Sequence, residues 1–450
     1  IMADAGLQWD LNTSLGYLRF QNLNKKENDG EFLKTRYGLI SKNHDFSYYG
    51  FGLLNLNEKV YCYTFSRIVS NPNSFDRFTG LIQNKTRGGF NSGESDLAGI
   101  GYDNGQTIFQ IGRGRESWGA GEDIEIALNK NSPAYDYFLM GFRLENISLL
   151  SINGFLESDS TDVNRYISGR GIEYNNKNNF LISLTEIVIY SGINRPLDIA
   201  YLNPVSSHLE IELNNRQNKL GTSSGNGIWQ VSIDSRPKKK LRFSFNFLFD
   251  ELILDKIQKN QGKESMGAFS SKLSQNLISN SKHVLNIGIS NIFIGAQTFK
   301  HEDGYNNFVQ RGLPLGWKYG SDGEEYKVQI DYLNYDDLII NVDIGFLRLG
   351  NESILDKPYE PYENYNSFNI ASEKKYFFRE ITPNTVSPFL ITGTPAISIF
   401  PEKLIISPES NSLVLSIDLI SITTPARLTD ITKVLLDMTS PFSSFIVEWE

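Results

Sequence analysis

Residues 111–137, IGRGRESWGAGEDIEIALNKNSPAYDY, bring two arginines, an indole and an acidic run close together. Arg113 and Arg115 precede Trp118, and Glu122, Asp123 and Glu125 follow it. Guanidinium groups make bidentate hydrogen bonds to acidic sugars, and an indole face stacks on a sugar ring, so the group suits an anionic polysaccharide. The same residues have a structural use, which outweighs the binding one. Inside a closed sheet, arginines pair with interior carboxylates such as Glu122, Asp123 or Glu186, and Trp118 packs on a glycine backbone. Gly112, Gly114, Gly119 and Gly121 allow tight turns or close backbone approach. No Lys-Ser/Thr follows them, so this is not a P-loop, and their spacing is not that of a dinucleotide fingerprint.

Three acidic clusters invite a catalytic reading: Glu122/Asp123/Glu125, Asp250/Glu251 and Glu157/Asp159/Asp162. Two carboxylates flanking a glycosidic bond would make a glycosidase. Along a strand, Asp250 and Glu251 point to opposite faces and cannot share a substrate. Asp123 and Glu125 would share a face, but nothing in the sequence places a second partner for them. No nucleophile elbow and no Ser/His/Asp order stands out. Ordinary interior or loop charge is therefore the reading adopted, and the chain is expected not to be an enzyme. Residues 157–162 lack the EF-hand spacing, so a solvated loop outweighs a calcium site there. His44, His208, His283 and His301 are scattered, the single Cys62 reads as an inert strand thiol, and no cofactor or metal site is expected.

The elements that must position these residues are strands. Leu7, Trp9 and Leu11 alternate with Gln8, Asp10 and Asn12, and LGYLRF (15–20) follows. Further strands are expected over 32–40, 46–54 and 60–68. Residues 70–95 read as loop with a short strand near 78–82. In 241–250, Phe243, Phe245, Phe247 and Phe249 share one face, opposite Arg242, Ser244, Asn246 and Asp250. A soluble sandwich would bury the Phe face, whereas a transmembrane barrel would turn it to lipid and the polar face to the lumen. Tyr326, Val328, Ile330 and Tyr332 alternate with charges in the same way, as do Ile340, Val342, Ile344 and Phe346. Tyr at strand ends fits an aromatic girdle. Loops are uneven: 235–240 and 334–337 are short, whereas 258–276 and 350–365 are long and polar. Leu273, Leu277 and Ile278 have the spacing of a short loop helix. The strand candidates number about 16–20, an ordinary size for one closed barrel.

Composition agrees. Of 450 residues, 12% are aromatic, with 22 Tyr and 29 Phe, and such aromatic wealth favours strands. A net charge of -9 without a broad basic surplus argues against nucleic acid as a partner. No apolar run is long enough for a membrane-spanning helix, which leaves a barrel open.

A set of motifs, in order, carries a resemblance. GR…WG-G and then N-SPAYD lie in residues 111–137. Glu186, Tyr190, Gly192, Arg195, Pro196, Tyr201, Leu202, Asn203 and Pro204 lie in 184–205. FLFDELILD (247–255) and GLPLG (312–316) follow. Over residues 111–332 this order resembles the Wzi-like capsule-assembly family of outer-membrane β-barrels; the two ends match only in strand character. The resemblance implies an all-β chain forming a single transmembrane antiparallel barrel over 1–450, of about eighteen strands, with long extracellular loops. It implies a non-catalytic protein of the Gram-negative outer membrane that binds surface polysaccharide and helps attach or assemble capsule or exopolysaccharide. Its partners would be that polysaccharide, outer-membrane lipid, lipopolysaccharide and other envelope proteins. Arg113, Arg115, Trp118, Asp123, Glu186, Tyr190, Arg195 and Asn203 would form either its polysaccharide site or a lumen network. A porin-like channel and a soluble all-β lectin or glycosidase are the alternatives. Charge pairing in the interior favours an occluded pore over an open one. Export implies a signal peptide outside this sequence. Strand alternation from Leu7 leaves no room for the helical plug that the family can carry before its first strand. Phe445, Val447 and Trp449 share a face of the last expected strand, with Trp449 penultimate to Glu450.

Overall fold

In a computed structural model the chain is an antiparallel meander. The structure describes residues 3–9, 15–22, 32–42, 45–56, 59–75, 78, 80–121, 123–160, 162–218, 224–251, 266–280, 282–334, 338–361, 374–385 and 420–421. The strands are β1 (Ala3–Trp9), β2 (Leu15–Asn22), β3 (Phe32–Lys42), β4 (Asp45–Leu56), β5 (Val60–Val69), β6 (Ser92–Asp103), β7 (Thr107–Gly114), β8 (Tyr135–Leu144), β9 (Ile147–Leu156) and β10 (Val163–Asn175). Then come β11 (Phe180–Ile193), the short helices α1 (Ile199–Leu202) and α2 (His208–Leu213), β12 (Asn226–Lys238), β13 (Leu241–Glu251), β14 (Met266–Ser279) and β15 (His283–Ile294). A small hairpin, β16 (Val309–Gln310) and β17 (Leu313–Pro314), precedes β18 (Gly323–Asn334), β19 (Leu338–Leu349), β20 (Lys374–Thr385) and β21 (Ile420–Ser421).

Among the described residues, β1 to β15 with β18, β19 and β20 make eighteen successively paired antiparallel strands. β21 adds two residues in parallel to β20. The two ends of the sheet differ. Turns 104–106, 145–146, 176–179 and 239–240 are short, while 70–91, 115–134, 194–225 and 295–322 at the other end are long. Short turns at one end and long loops at the other are the habit of a transmembrane barrel.

The Phe-rich strand β13 decides which face is which. Phe243 and Phe247 are exposed, the latter 46%, while Ser244, Asn246 and Leu248, of the opposite parity, are buried. The aromatic row faces outward and the polar row faces in, as lipid outside requires. Phe109, Ile111, Phe138, Leu273, Ile289, Val328 and Phe346 extend the exposed apolar belt around the wall.

The main core is inside. Trp118, Ile124, Ile126 and Leu128, from the loop after β7, meet Leu139, Ile152, Ile187, Ile228 and Leu248 from the strands. Leu315, Trp317 and Phe308 come from the loop after β15. Loops 115–134 and 295–322 thus fold back into the lumen and bury their own apolar residues there.

Two local expectations are corrected. Leu273, Leu277 and Ile278 belong to strand β14 and not to a loop helix. Two residues four apart share a face in either geometry, and a register shift between Asn276 and Ile278 absorbs the odd step. The described part of 78–82 is not a strand; the nearby pairing is a single bridge, Arg87 to Phe90. The expected last strand, 445–450, lies outside the described residues.

Candidate functional site

The loop 115–134 is the element that fills the lumen. Gly119 and Gly121 take positive φ of 143° and 79°, and Asp123 takes 65°, so the chain coils here. Asp123 and Glu125 therefore do not share a strand face. Trp118 is fully buried, and its backbone N–H bonds Leu128 O at 3.2 Å. Its ring lies against Gly169, where an added Cβ would sit 2.9 Å from Trp118 Cη2. Wall side chains then grip the loop. Asn246 accepts from Ala120 N at 2.6 Å and donates to Ala120 O at 2.8 Å and Ile124 O at 3.3 Å. Ser270 Oγ donates to Ile124 O at 2.6 Å, and Gln230 Nε2 donates to Trp118 O at 3.2 Å. The loop after β15 adds Asn129 N to Leu315 O at 2.9 Å. Buried backbone groups need such partners, and here the wall supplies them.

Charge is placed with equal specificity. Glu116 is completely buried beside Trp118, and burial pushes its carboxyl up to about 8. Burial acts to raise the Asp123 carboxyl as well. Lys130, at 3.3 Å, together with Lys272 and Lys327, outweighs it and holds Asp123 below the usual carboxylate range. Glu125 accepts from Asn129 Nδ2 at 3.2 Å.

The predicted residues fall into separate places. Arg113, at the long-loop rim, bonds Asp136 at 2.9 Å and Glu157 at 3.2 Å, and Arg311 reaches Glu157 at 2.6 Å. Arg113 and Asp136 are register partners with the outward parity of Phe109 and Phe138. Arg115 is buried against Asp96. Glu186, Tyr190, Arg195 and Asn203 are not in the lumen. Glu186 and Tyr190 have the outward parity of exposed Ile182 and Leu184, and loop 194–217 covers them from outside. Glu186 pairs with Arg170 at 3.0 Å and His208 at 2.7 Å. Tyr190 stacks on Tyr201 at 4.3 Å, with Arg195 4.8 Å from its ring centre. Asn203 caps α1, and its carbonyl accepts from Arg170 at 3.1 Å.

Arg165 escaped the sequence reading. It is fully buried on the inward face of β10 and donates to the carbonyls of Tyr305, Glu157, Asn307 and Val309 at 2.6, 2.8, 2.9 and 3.0 Å. One guanidinium thus holds the loop after β15 in the lumen. The signal for it was an arginine on the inward parity of a strand, which needs the face assignment first.

A cavity of about 980 Å³ remains below the loop 115–134. The loop closes it with Gly119, Ala120 and Glu125, and it reaches the short turns at Asn178, Arg236 and Asn280. Lys272, Gln329, Asn286 and Asp331 line its walls. Among the described residues, no group of His, Cys, Asp or Glu is placed to hold a metal, and no helix is long and apolar enough to cross a membrane.

No protein-family model matches the chain, and no curated protein sequence matches it. Solved structures do resemble it. Wzi, an outer-membrane protein of Escherichia coli involved in group 1 capsule assembly and described as a carbohydrate-binding β-barrel, has a TM-score of 0.52 at 12% identity, covering 83% of this chain and 76% of its own. The outer-membrane channel DcaP of Acinetobacter baumannii gives 0.38 at 8% identity, covering 73% and 94%. The outer-membrane protein OprD of Pseudomonas aeruginosa gives 0.37 at 10%, covering 75% and 84%. With the meander, the outward aromatic belt and the filled lumen, the likeness to Wzi establishes that this chain has the fold of an outer-membrane β-barrel.

Proposed function

We propose that the chain, over residues 1–450, is a single outer-membrane barrel that holds polysaccharide at the cell surface and helps attach or assemble a capsule or exopolysaccharide. It catalyses no reaction. The observation that carries this reading is the lumen, filled by loops 115–134 and 295–322 and stitched to the wall by Asn246, Ser270, Gln230 and Arg165. A solute channel needs a continuous water path, which bonds of this kind block. The fold likeness to a carbohydrate-binding barrel supports the same reading.

Of the predicted residues, Arg113 with Asp136, Glu157 and Arg311 stands at the long-loop rim and faces glycan. Asp136 there is 63% exposed in its side chain. Arg115, Trp118, Glu186, Tyr190, Arg195 and Asn203 hold the scaffold, and Asp123 anchors Lys130. Outer-membrane lipid and lipopolysaccharide surround the wall.

The test pairs two measurements on full-length protein in detergent. Planar-bilayer recording is expected to show no steady conductance, and immobilised acidic surface polysaccharide is expected to retain the protein. Steady conductance without retention would favour the porin-like channel, whose one structural argument is the cavity that extends to the short turns. Recovery as a monodisperse soluble protein without detergent would favour a lectin or glycosidase.

A further inference from the structure

One part of the outer wall has the wrong chemistry for a lipid-facing surface. Residues of one parity share a face of a strand. On β10, exposed Ile172 and Tyr174 set the outward parity, and Tyr166, Ser168 and Arg170 share it. Opposite them on β11 lie Tyr190, Val188 and Glu186, and opposite Ser168 and Arg170 on β9 lie Asn153 and Ser151. Arg170 and Glu186 form an ion pair at 3.0 Å that His208 Nδ1 joins at 2.7 Å. A charge facing hydrocarbon is costly, so this cluster must be covered.

The register sets its depth. On one flank Ser151 pairs with Met140 and Met140 with exposed Phe109, while Asn153 pairs with exposed Phe138 and Phe138 with exposed Ile111. On the other flank Glu186 pairs with Trp229 and Trp229 with Phe249, one step along the row from exposed Phe247. Strand tilt raises one flank and lowers the other, so apolar rows on both sides bracket the cluster at the level of the belt.

Loop 194–217, between β11 and β12, supplies the cover. Its inner face is matched to the wall. Tyr201 stacks on Tyr190, Tyr166 Oη donates to Arg195 O at 2.8 Å and Ser168 Oγ donates to Tyr201 O at 2.8 Å. His208 rests over Gly227 beside Trp229. The outer face is apolar: Leu197, Ile199, Val205, Leu209 and Leu213 are exposed, Ile199 at 80% and Leu213 at 79%. Leu209 and Leu213 sit one turn apart on α2, away from buried His208 and Ile211. Glu210 and Arg216, both half-exposed, pair with each other.

We propose that loop 194–217 is a strap immersed in the membrane, its apolar face lying among the acyl chains of the leaflet at the long-loop end and keeping the Arg170–Glu186–His208 cluster out of hydrocarbon. Continuity with the belt on both flanks selects lipid as the occupant. The inference rests on the barrel fold and is independent of the polysaccharide reading.

The test places a nitroxide at Leu213→Cys in a Cys62→Ser background, with the full chain in phosphatidylcholine vesicles. Phe247→Cys is the belt reference and Leu81→Cys the loop reference; heat-modifiable migration confirms folding, and Ile199→Cys and Leu209→Cys report the same face if the first variant fails to fold. The oxygen-to-nickel-chelate collision ratio is expected to rise several-fold over the Leu81 label, to the level of the Phe247 label. A ratio equal to that at Leu81 puts the strap in water and overturns the proposal. Low collision with both reagents, with spin–spin broadening, puts a second copy of the chain on this face and equally overturns it.

Discussion

Asn246→Ala should release the loop that fills the lumen. The side chain makes three bonds to the loop, two of them to the backbone of Ala120. Truncation orphans the N–H and the carbonyl of Ala120, while Ile124 O keeps Ser270 at 2.6 Å. Two lost buried bonds at about 1–2 kcal/mol each give about 2–4 kcal/mol. Local opening should then be roughly 30- to 1,000-fold more frequent, at tenfold per ~1.4 kcal/mol. Ala120 borders the cavity, so water reaching the orphaned groups moves the effect toward the lower figure. The assay is hydrogen exchange of the amides of 118–128 on folded protein in detergent, with the amides of β8 as internal control. Bilayer recording of the same variant should show intermittent openings absent from the parent. Exchange within about threefold of the parent, in a variant that still migrates as a folded barrel, would show that these bonds do not hold the loop and would refute the reasoning.

Other outcomes follow from the same geometry. Glu116 keeps its proton up to about 8 in the folded chain, while the unfolded chain loses it near the ordinary glutamate value of 4.5, so stability should fall as pH rises through that window and level off above it. Glu116→Gln should flatten that slope; urea midpoints at both ends of the window check this, and an unchanged slope removes Glu116 as the cause. Arg165→Met deprives four carbonyls of one donor and should cost ~3 kcal/mol or more, read as faster exchange in 304–310. Gly227→Ala drives a methyl into His208 and should lift the strap at a cost of ~1–3 kcal/mol, read as new protease cleavage within 194–217 of a barrel that still resists heat in detergent. Glu157→Gln loosens Arg113 and Arg311 at a half-exposed rim, so its stability cost should stay near 1 kcal/mol or below, while polysaccharide retention changes.

Much of the wall was legible. Strands β3, β4 and β5 lie where alternation placed them, because a strand writes its period directly into neighbouring residues. Of the long loops, 70–91 was recognisable by composition, whereas the polar stretch expected as loop over 258–276 is strand from Met266 onward. Loop 115–134 reads as polar and Gly-rich, yet it buries Trp118, Ile124, Ile126 and Leu128 at the centre of the lumen. Its partners Asn246 and Ser270 stand 126 and 146 residues from the atoms they hold, beyond any local pattern. The spacing of Leu273, Leu277 and Ile278 fits a short helix as well as strand β14, because it satisfies both periods once a register shift is allowed.

The sequence by itself determined that this chain is made of two-faced strands joined by loops of very unequal length. It also determined which residues carry charge and aromatic surface. It could not say which face is inside, because period two is symmetric: Phe243 and Phe247 would serve a buried core or a lipid belt equally well. Only the folding of loops 115–134 and 295–322 against one face of the sheet broke that symmetry, by filling the interior beside Asn246, Ser244 and Leu248 and leaving the phenylalanines outside. The same folding separated residues that stand together in one dimension. Arg115 and Trp118 went inward, Arg113 to the rim, and Glu186 and Tyr190 to the outer wall beneath a strap. A side chain's face follows from its parity, whereas what covers that face depends on distant segments that only the tertiary structure brings there.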